Sequence, residues 1–463
     1  MSRCALLLLS VLALACEEAP ALEPGEDKPG GDTTVFDTTA NAFSLSARNM
    51  SFDRRQRFLV GNSFFNKNWV TAPSSTKSRD GLGPTFNARS CSTCHFKDGR
   101  GRAPGPGEDF SGLLLRLAIP GQDAHGGPLP AGPYGDQLQS QAIADVPAEG
   151  TPRVTYVERT GRFADGEAYS LRAPSYTIEE PALGPLPQDL LISPRVAPAM
   201  IGMGLLAAIP EADILARADP DDTDADGISG RPNYVWDHAA GATALGRFGW
   251  KANQPTVLQQ TAGAFLGDMG ISSSLFPLEN CPEGQVECAA AQTGGNDGTG
   301  GAPEISDDLL ADVTLYSSTL AVPARRDPGA PEALRGKQLF GAAGCADCHT
   351  PRHVTGDSPE LPEVAAQTIF PFTDLLLHDM GEDLADHRPD FAADGAEWRT
   401  PPLWGLGLVE TVNDHTEFLH DGRARSLLEA ILWHGGEAEA ARDHVLAMTA
   451  DERAALLTFL GSL

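Results

Sequence analysis

The sequence predicts a mainly α fold with irregular loops, arranged as two domains that each carry one copy of the same short motif. Three observations predict it. C-S-T-C-H stands at 91–95 and C-A-D-C-H at 345–349. Apolar residues recur at helical spacing over 252–272, 305–320, 331–340 and 451–460. Residues 116–240 instead hold many Pro and Gly with short apolar runs such as Leu113-Leu114-Leu115 and Val154-Thr155-Tyr156-Val157, which reads as loops with a few short strands.

The chain begins with an apolar stretch, Ala5 to Ala15, too short to span a bilayer and ending in the small residues Ala13-Leu14-Ala15 before Cys16. Residues 1–15 therefore read as a signal peptide. Cleavage before Cys16 suits either a plain export signal or a lipoprotein signal, and a cysteine at that place favours lipidation. Residues 16–40, rich in Glu, Asp, Pro, Gly and Thr, read as a disordered tether. The N-terminal domain is expected over 41–325. Within it, 200–209 reads as a buried turn or helix, Glu211–Ala218 as a short helix and 281–303 as a Gly-rich loop. Val322 to Pro331 reads as a linker, and the C-terminal domain over 326–463. Pro331 suits a helix start, Leu334, Gln338 and Leu339 share a face, and Gly341 and Gly344 end the helix before Cys345.

Two thiols three residues apart can each add to a vinyl group of one porphyrin, and the adjacent histidine then faces the iron. Each motif is thus a candidate for covalently attached haem c, held by Cys91, Cys94 and His95 and by Cys345, Cys348 and His349, which makes both domains cytochrome c-like. The remaining cysteines sort simply. Cys4 leaves with the signal, Cys16 takes the lipid, and Cys281 and Cys288 lie close enough for a local disulfide in an oxidising compartment. Arg100 and Arg102, in the loop after the first motif, are candidates to pair with haem propionates.

A net charge of −29 excludes nucleic acid as a partner and argues against resting on anionic lipid, so membrane contact is expected only through a lipid anchor. It suits a small basic redox donor; a quinol-linked chain is the other expected source of electrons. The place expected is the periplasm or the outer membrane.

The blocks F-N-A-R-S-C-S-T-C-H-F-K-D-G-R-G, D-A-D-G-I-S-G-R-P-N, L-G-R-F-G-W-K-A, P-F-T-D-L-L-L-H-D-M-G, W-R-T-P-P-L-W-G-L-G and F-L-H-D-G-R-A-R-S-L-L-E-A-I-L-W-H-G-G-E-A span nearly all of 41–463. They resemble the dihaem oxidoreductase family also labelled thiol oxidoreductase, related to bacterial dihaem cytochrome c peroxidase and to the methylamine dehydrogenase maturation enzyme. The resemblance implies a peroxidase-like oxidoreductase acting on peroxide or another small oxidant. A dihaem electron carrier without turnover is the alternative. Fourteen positions after His420 of H-D-G it places His434 as the distal ligand opposite His349, with His378 and Met380 as rivals. It also implies Trp250 as an inter-haem relay, and Gln259, Gln260, Glu179 or Glu180 as catalytic polar groups beside an open first iron, Gln260 being the residue singled out. His125 is the first histidine after His95 that might otherwise close that position. D-D-T-D-A-D-G at 221–227 opens like a calcium loop, with Asp222, Asp224, Asp226 and the Ile228 carbonyl as ligands; position twelve is Asn233, not Glu.

Overall fold

A computed structural model describes residues 21–291 and 303–463. The expected signal peptide, with Cys4, Ala13-Leu14-Ala15 and Cys16, lies outside these, as does most of the Gly-rich loop.

Helices form where the caps and apolar spacing place them. Ser51, Thr256 and Ser306 each accept a backbone N–H in the first turn of Phe52–Asn66, Val257–Met269 and Asp307–Thr319. Pro331 starts Pro331–Ala342, and a reciprocal Thr449/Glu452 capping box starts Ala450–Ser462. Gly344, at φ 79°, turns the chain from the fourth of these helices into Cys345. Each motif's cysteines then occupy a single helical turn, Cys91–Cys94 and Cys345–Cys348.

The mainly α expectation is corrected. Only 29% of the chain is helical and 18% is strand, distributed over six small sheets among the described residues. The largest pairing is an antiparallel hairpin, Thr151–Arg162 with Ala168–Glu179, registered from Thr151↔Glu179 to Arg162↔Ala168. A three-stranded sheet joins Pro128–Leu129, Leu113–Gln122 and Leu191–Val196. The hairpin buries little of itself: Val154 and Leu171 are buried while most neighbours stay exposed, so apolar content was a poor guide to it. Ion pairs hold it to the C-terminal part of the chain instead, Arg172 to Glu417, Arg425 to Glu158 and Arg453 to Asp165.

The described part of the expected tether is also corrected. Residues 21–40 pack against the linker and the C-terminal domain. The Glu26 carboxylate is buried against Arg325 and lies 2.7 Å from Lys337 Nζ, and Pro29 O accepts from Phe370 N. The linker itself is buried at Val322 and Arg325 rather than exposed. A segment rich in Glu and Pro is ordered in turns and a short 3-10 helix, Gly31–Thr33, because Arg325 and Lys337 pair with its Glu26 carboxylate.

Two helix pairs close on glycine. A Cβ at Gly61 would meet Asp312 O at 2.1 Å, and one at Gly336 would meet Ala455 O at 2.0 Å. Gly336→Ala raises helix propensity by at most about 1 kcal/mol, but it pushes Pro331–Ala342 off Ala450–Ser462 and is expected to cost a net ~1–3 kcal/mol. A urea midpoint equal to or above that of the parent would contradict this.

Candidate functional site

The first motif opens onto a deep cavity lined by Cys91, Cys94, His95, Arg100, Arg116, Arg195, Arg247, Trp250, Gln260, Asp268 and Arg399, with Met200, Met203 and Met269. Both thiols are free, and burial pushes Cys94 up to about 12 and Cys91 higher still. His95 Nδ1 donates to Pro198 O at 2.8 Å, and burial takes its pKa down to about 4. The ring is therefore neutral with Nε2 unprotonated, the arrangement a metal-bound imidazole needs.

Five arginines line this cavity in a strongly acidic protein. Two are matched by carboxylates, Arg116 with Asp136 at 2.9 Å and Arg195 with Asp390 at 3.0 Å. The other three meet carbonyls: Arg100 donates to Leu419 O, Arg247 to Leu206 O and Ile209 O, and Arg399 to Gly249 O and Thr400 O. Arg100 Nε is buried with no partner, and burial lowers Arg100 and Arg399 to about 10. Buried cations without carboxylates call for anions, and a haem brings two propionates. Free paired thiols, a neutral histidine and guanidinium groups that form no ion pair thus fit haem. Arg102, the other candidate from the sequence, pairs with Glu108 near the surface.

The second motif repeats the arrangement. His349 Nδ1 donates to Phe372 O at 2.9 Å, and burial takes the ring down to about 4. His434 Nδ1 donates to Ala430 O at 2.7 Å, leaving its Nε2 free, and the ring is close enough to His349 to disfavour that ring's charged form further. His378 is committed elsewhere: Nε2 contacts Asp374 at 2.8 Å and Nδ1 contacts Glu437 at 2.7 Å, so neither nitrogen is free for iron. Met380 packs into the apolar clusters around Trp250, Trp398 and Trp433.

Trp250 is buried, its Nε1 donating to Val196 O at 2.8 Å. Val196 N donates to His420 O; His420 stacks on Trp398 at 3.7 Å; and Trp398 pairs across a two-stranded sheet with His378, whose Nδ1 lies 3.5 Å from Cys348 Sγ. Packed groups thus run without a break from the cavity to the second motif.

The other candidates separate. Gln260 lines the cavity, whereas Gln259 binds backbone at Trp236 and His238. Glu179 pairs with Arg153 at the exposed end of the hairpin and Glu180 accepts from Thr151; neither reaches the cavity. His125 also lies outside it, stacked on Trp236. Sequence reasoning passed over Asp268. It is the one acid in the helix Val257–Met269, accepts from Gln137 Nε2 at 3.0 Å, and has its carboxyl raised by burial against the lowering effect of Arg116. A lone carboxylate in an otherwise neutral helix was the available signal.

Cys281 and Cys288 form a disulfide. In the acidic loop the converging carboxylates are Asp219, Asp222 and Asp224, which corrects the expected ligand set. Asp226 instead accepts from Ile228 N at 2.8 Å, and Asn233 is buried with its amide on Lys251 O and Asp390 O.

Two cysteine–histidine sites, one beside a broad arginine-rich cavity and one with a second imidazole within electrostatic reach, define a protein of the di-haem class. Residues 25–463 match the family model described as "Di-haem oxidoreductase, putative peroxidase", and the chain belongs to this family. No curated protein matches. Among solved structures the chain is similar to one titled "Kuenenia stuttgartiensis Hydrazine Synthase Pressurized with 20 bar Xenon", at 12% identity over 90% of this chain and 94% of that one, with a TM-score of 0.31.

Proposed function

We propose that this di-haem oxidoreductase is an exported, peroxide-reducing enzyme whose C-terminal site collects electrons and whose N-terminal cavity receives the oxidant. The observation that carries this reading is the asymmetry of the two sites: His434 lies within electrostatic reach of His349, while among the described residues no second histidine lines the His95 cavity. Bound covalently at each motif, haem supplies one-electron iron chemistry.

The protein's own groups do the rest. Cys91 with Cys94 and Cys345 with Cys348 hold the two porphyrins, and Arg100, Arg247 and Arg399 neutralise carboxylates at the first. Asp268 holds or accepts a proton at the cavity wall, and Gln260 offers an amide to a small oxygen-bearing ligand. Trp250, buried at the wall of the first cavity, serves as the relay residue. Export, lipidation at Cys16 and a basic donor or quinol-linked source of electrons complete the proposal, with the acidic surface suiting a basic donor.

Met200, Met203 and Met269 favour a second reading, because a thioether from the lining would cap the first iron and leave an electron carrier. Electron paramagnetic resonance of the as-isolated and half-reduced protein separates the two. A high-spin component that disappears on adding cyanide supports the enzyme; a purely low-spin signal from every ferric haem in both states excludes it.

Calcium at Asp219, Asp222 and Asp224 remains part of the proposal. Calcium at about a hundred times its dissociation constant is expected to stabilise the chelated protein by ~2.7 kcal/mol, and Asp222→Asn to abolish that gain. An identical thermal midpoint with calcium and with chelator would remove calcium from the account.

A further inference from the structure

His125 and His238 come from separate loops and meet on the outer face of the N-terminal domain. Their rings are 6.2 Å apart between centroids and inclined at 72°. Both residues are exposed, and none of their four ring nitrogens takes a hydrogen bond from the protein among the described residues. The rings are nonetheless held in place. His125 stacks on Trp236 at 4.2 Å and 16°, and His238 stands edge-on to Phe276 at 5.0 Å.

The backbone beneath is fixed from both sides. Asp123 Oδ1 accepts from His125 N and Gly127 N, Asp237 Oδ1 accepts from Ala239 N and Ala240 N, and His238 N donates to Gln259 Oε1. We propose that His125 and His238 form a surface site for a single late transition-metal dication of the Cu2+ or Zn2+ class, completed by water.

The span fits one ion. Nitrogens bound at about 2.0–2.1 Å place two imidazole centroids on one metal roughly 5–6.5 Å apart, depending on the N–metal–N angle. Two nitrogen donors select copper and zinc over calcium and magnesium, which take oxygen. Each imidazole offers one nitrogen lone pair to a metal, its other ring nitrogen carrying the proton. Asp123 and Asp237 lie within electrostatic reach and add negative charge around the cation.

The site is independent of the haem reading, although Gln259 ties its backbone to the helix whose next residue, Gln260, lines the cavity.

The test uses the full haem-loaded protein, stripped with chelator and titrated calorimetrically with ZnCl2, with CuSO4 in parallel followed by electron paramagnetic resonance. One equivalent is expected to bind the parent, with nitrogen hyperfine structure on the copper signal. His125→Ala and His238→Ala are each expected to weaken binding by about tenfold or more. His387→Ala, at an exposed histidine elsewhere, is expected to bind as the parent does. Unchanged affinity in both His125→Ala and His238→Ala, or no saturable binding by the parent, overturns the proposal.

Discussion

Replacing His434 with alanine is expected to convert the second haem from low-spin to high-spin and to make it bind cyanide. The Nε2 of His434 is free because Nδ1 is spent on Ala430 O, and the same division holds at His349 and Phe372 O. Each imidazole is thus fixed as the tautomer that presents a lone pair, and removing His434 leaves His378 as the neighbouring histidine. His378 cannot substitute, since Asp374 and Glu437 hold both of its nitrogens. His378→Ala is accordingly expected to keep the low-spin signal while loosening the Glu437 contact. A low-spin second haem in His434→Ala would refute the ligand assignment, and electron paramagnetic resonance of the two variants side by side reads it directly.

Asp268→Asn is expected to lower peroxide turnover by about 10²–10⁴-fold, the usual range for a positioned proton-transfer group. Asparagine keeps the size and the acceptor for Gln137 but cannot take a proton. The sign of the pH dependence follows from burial, which raises the Asp268 pKa above the ordinary carboxylate value. The base form is lost as pH falls through that raised pKa, so turnover in the parent falls on an acid limb displaced upward. The variant is expected to lose this limb and to stay uniformly slow. Stopped-flow turnover across the pH range checks both statements, and a variant as fast as the parent would return Asp268 to a structural role. Gln260→Ala is the natural comparison, because it removes a cavity amide without touching a titrating group.

Local signals were legible where chemistry or helix geometry left a short-range mark. The helices Val257–Met269, Asp307–Thr319, Pro331–Ala342 and Ala450–Ser462 lie inside or within two residues of their expected spans, because caps, Pro331 and apolar spacing act within a few turns. The hairpin Thr151–Arg162/Ala168–Glu179 was underestimated although Asp165-Gly166 marked its turn. Its strands are held by charged partners some 245 to 290 residues away, Glu417, Arg425 and Arg453, which no local window contains. Residues 21–40 were misread for the same reason: composition resembling a tether says nothing of Arg325 and Lys337 waiting for Glu26.

By itself, the sequence marked the two C-x-x-C-H motifs as candidate haem sites, because five consecutive residues contain the whole stereochemical requirement. Only the tertiary structure decided what surrounds each site. It gathered three arginines without ion-pair partners and Asp268 onto one cavity, set His434 near His349, tied up His378 and placed His125 at the surface. Those outcomes depend on burial and on contacts between residues far apart in the chain, and desolvation and long-range pairing have no counterpart in local sequence.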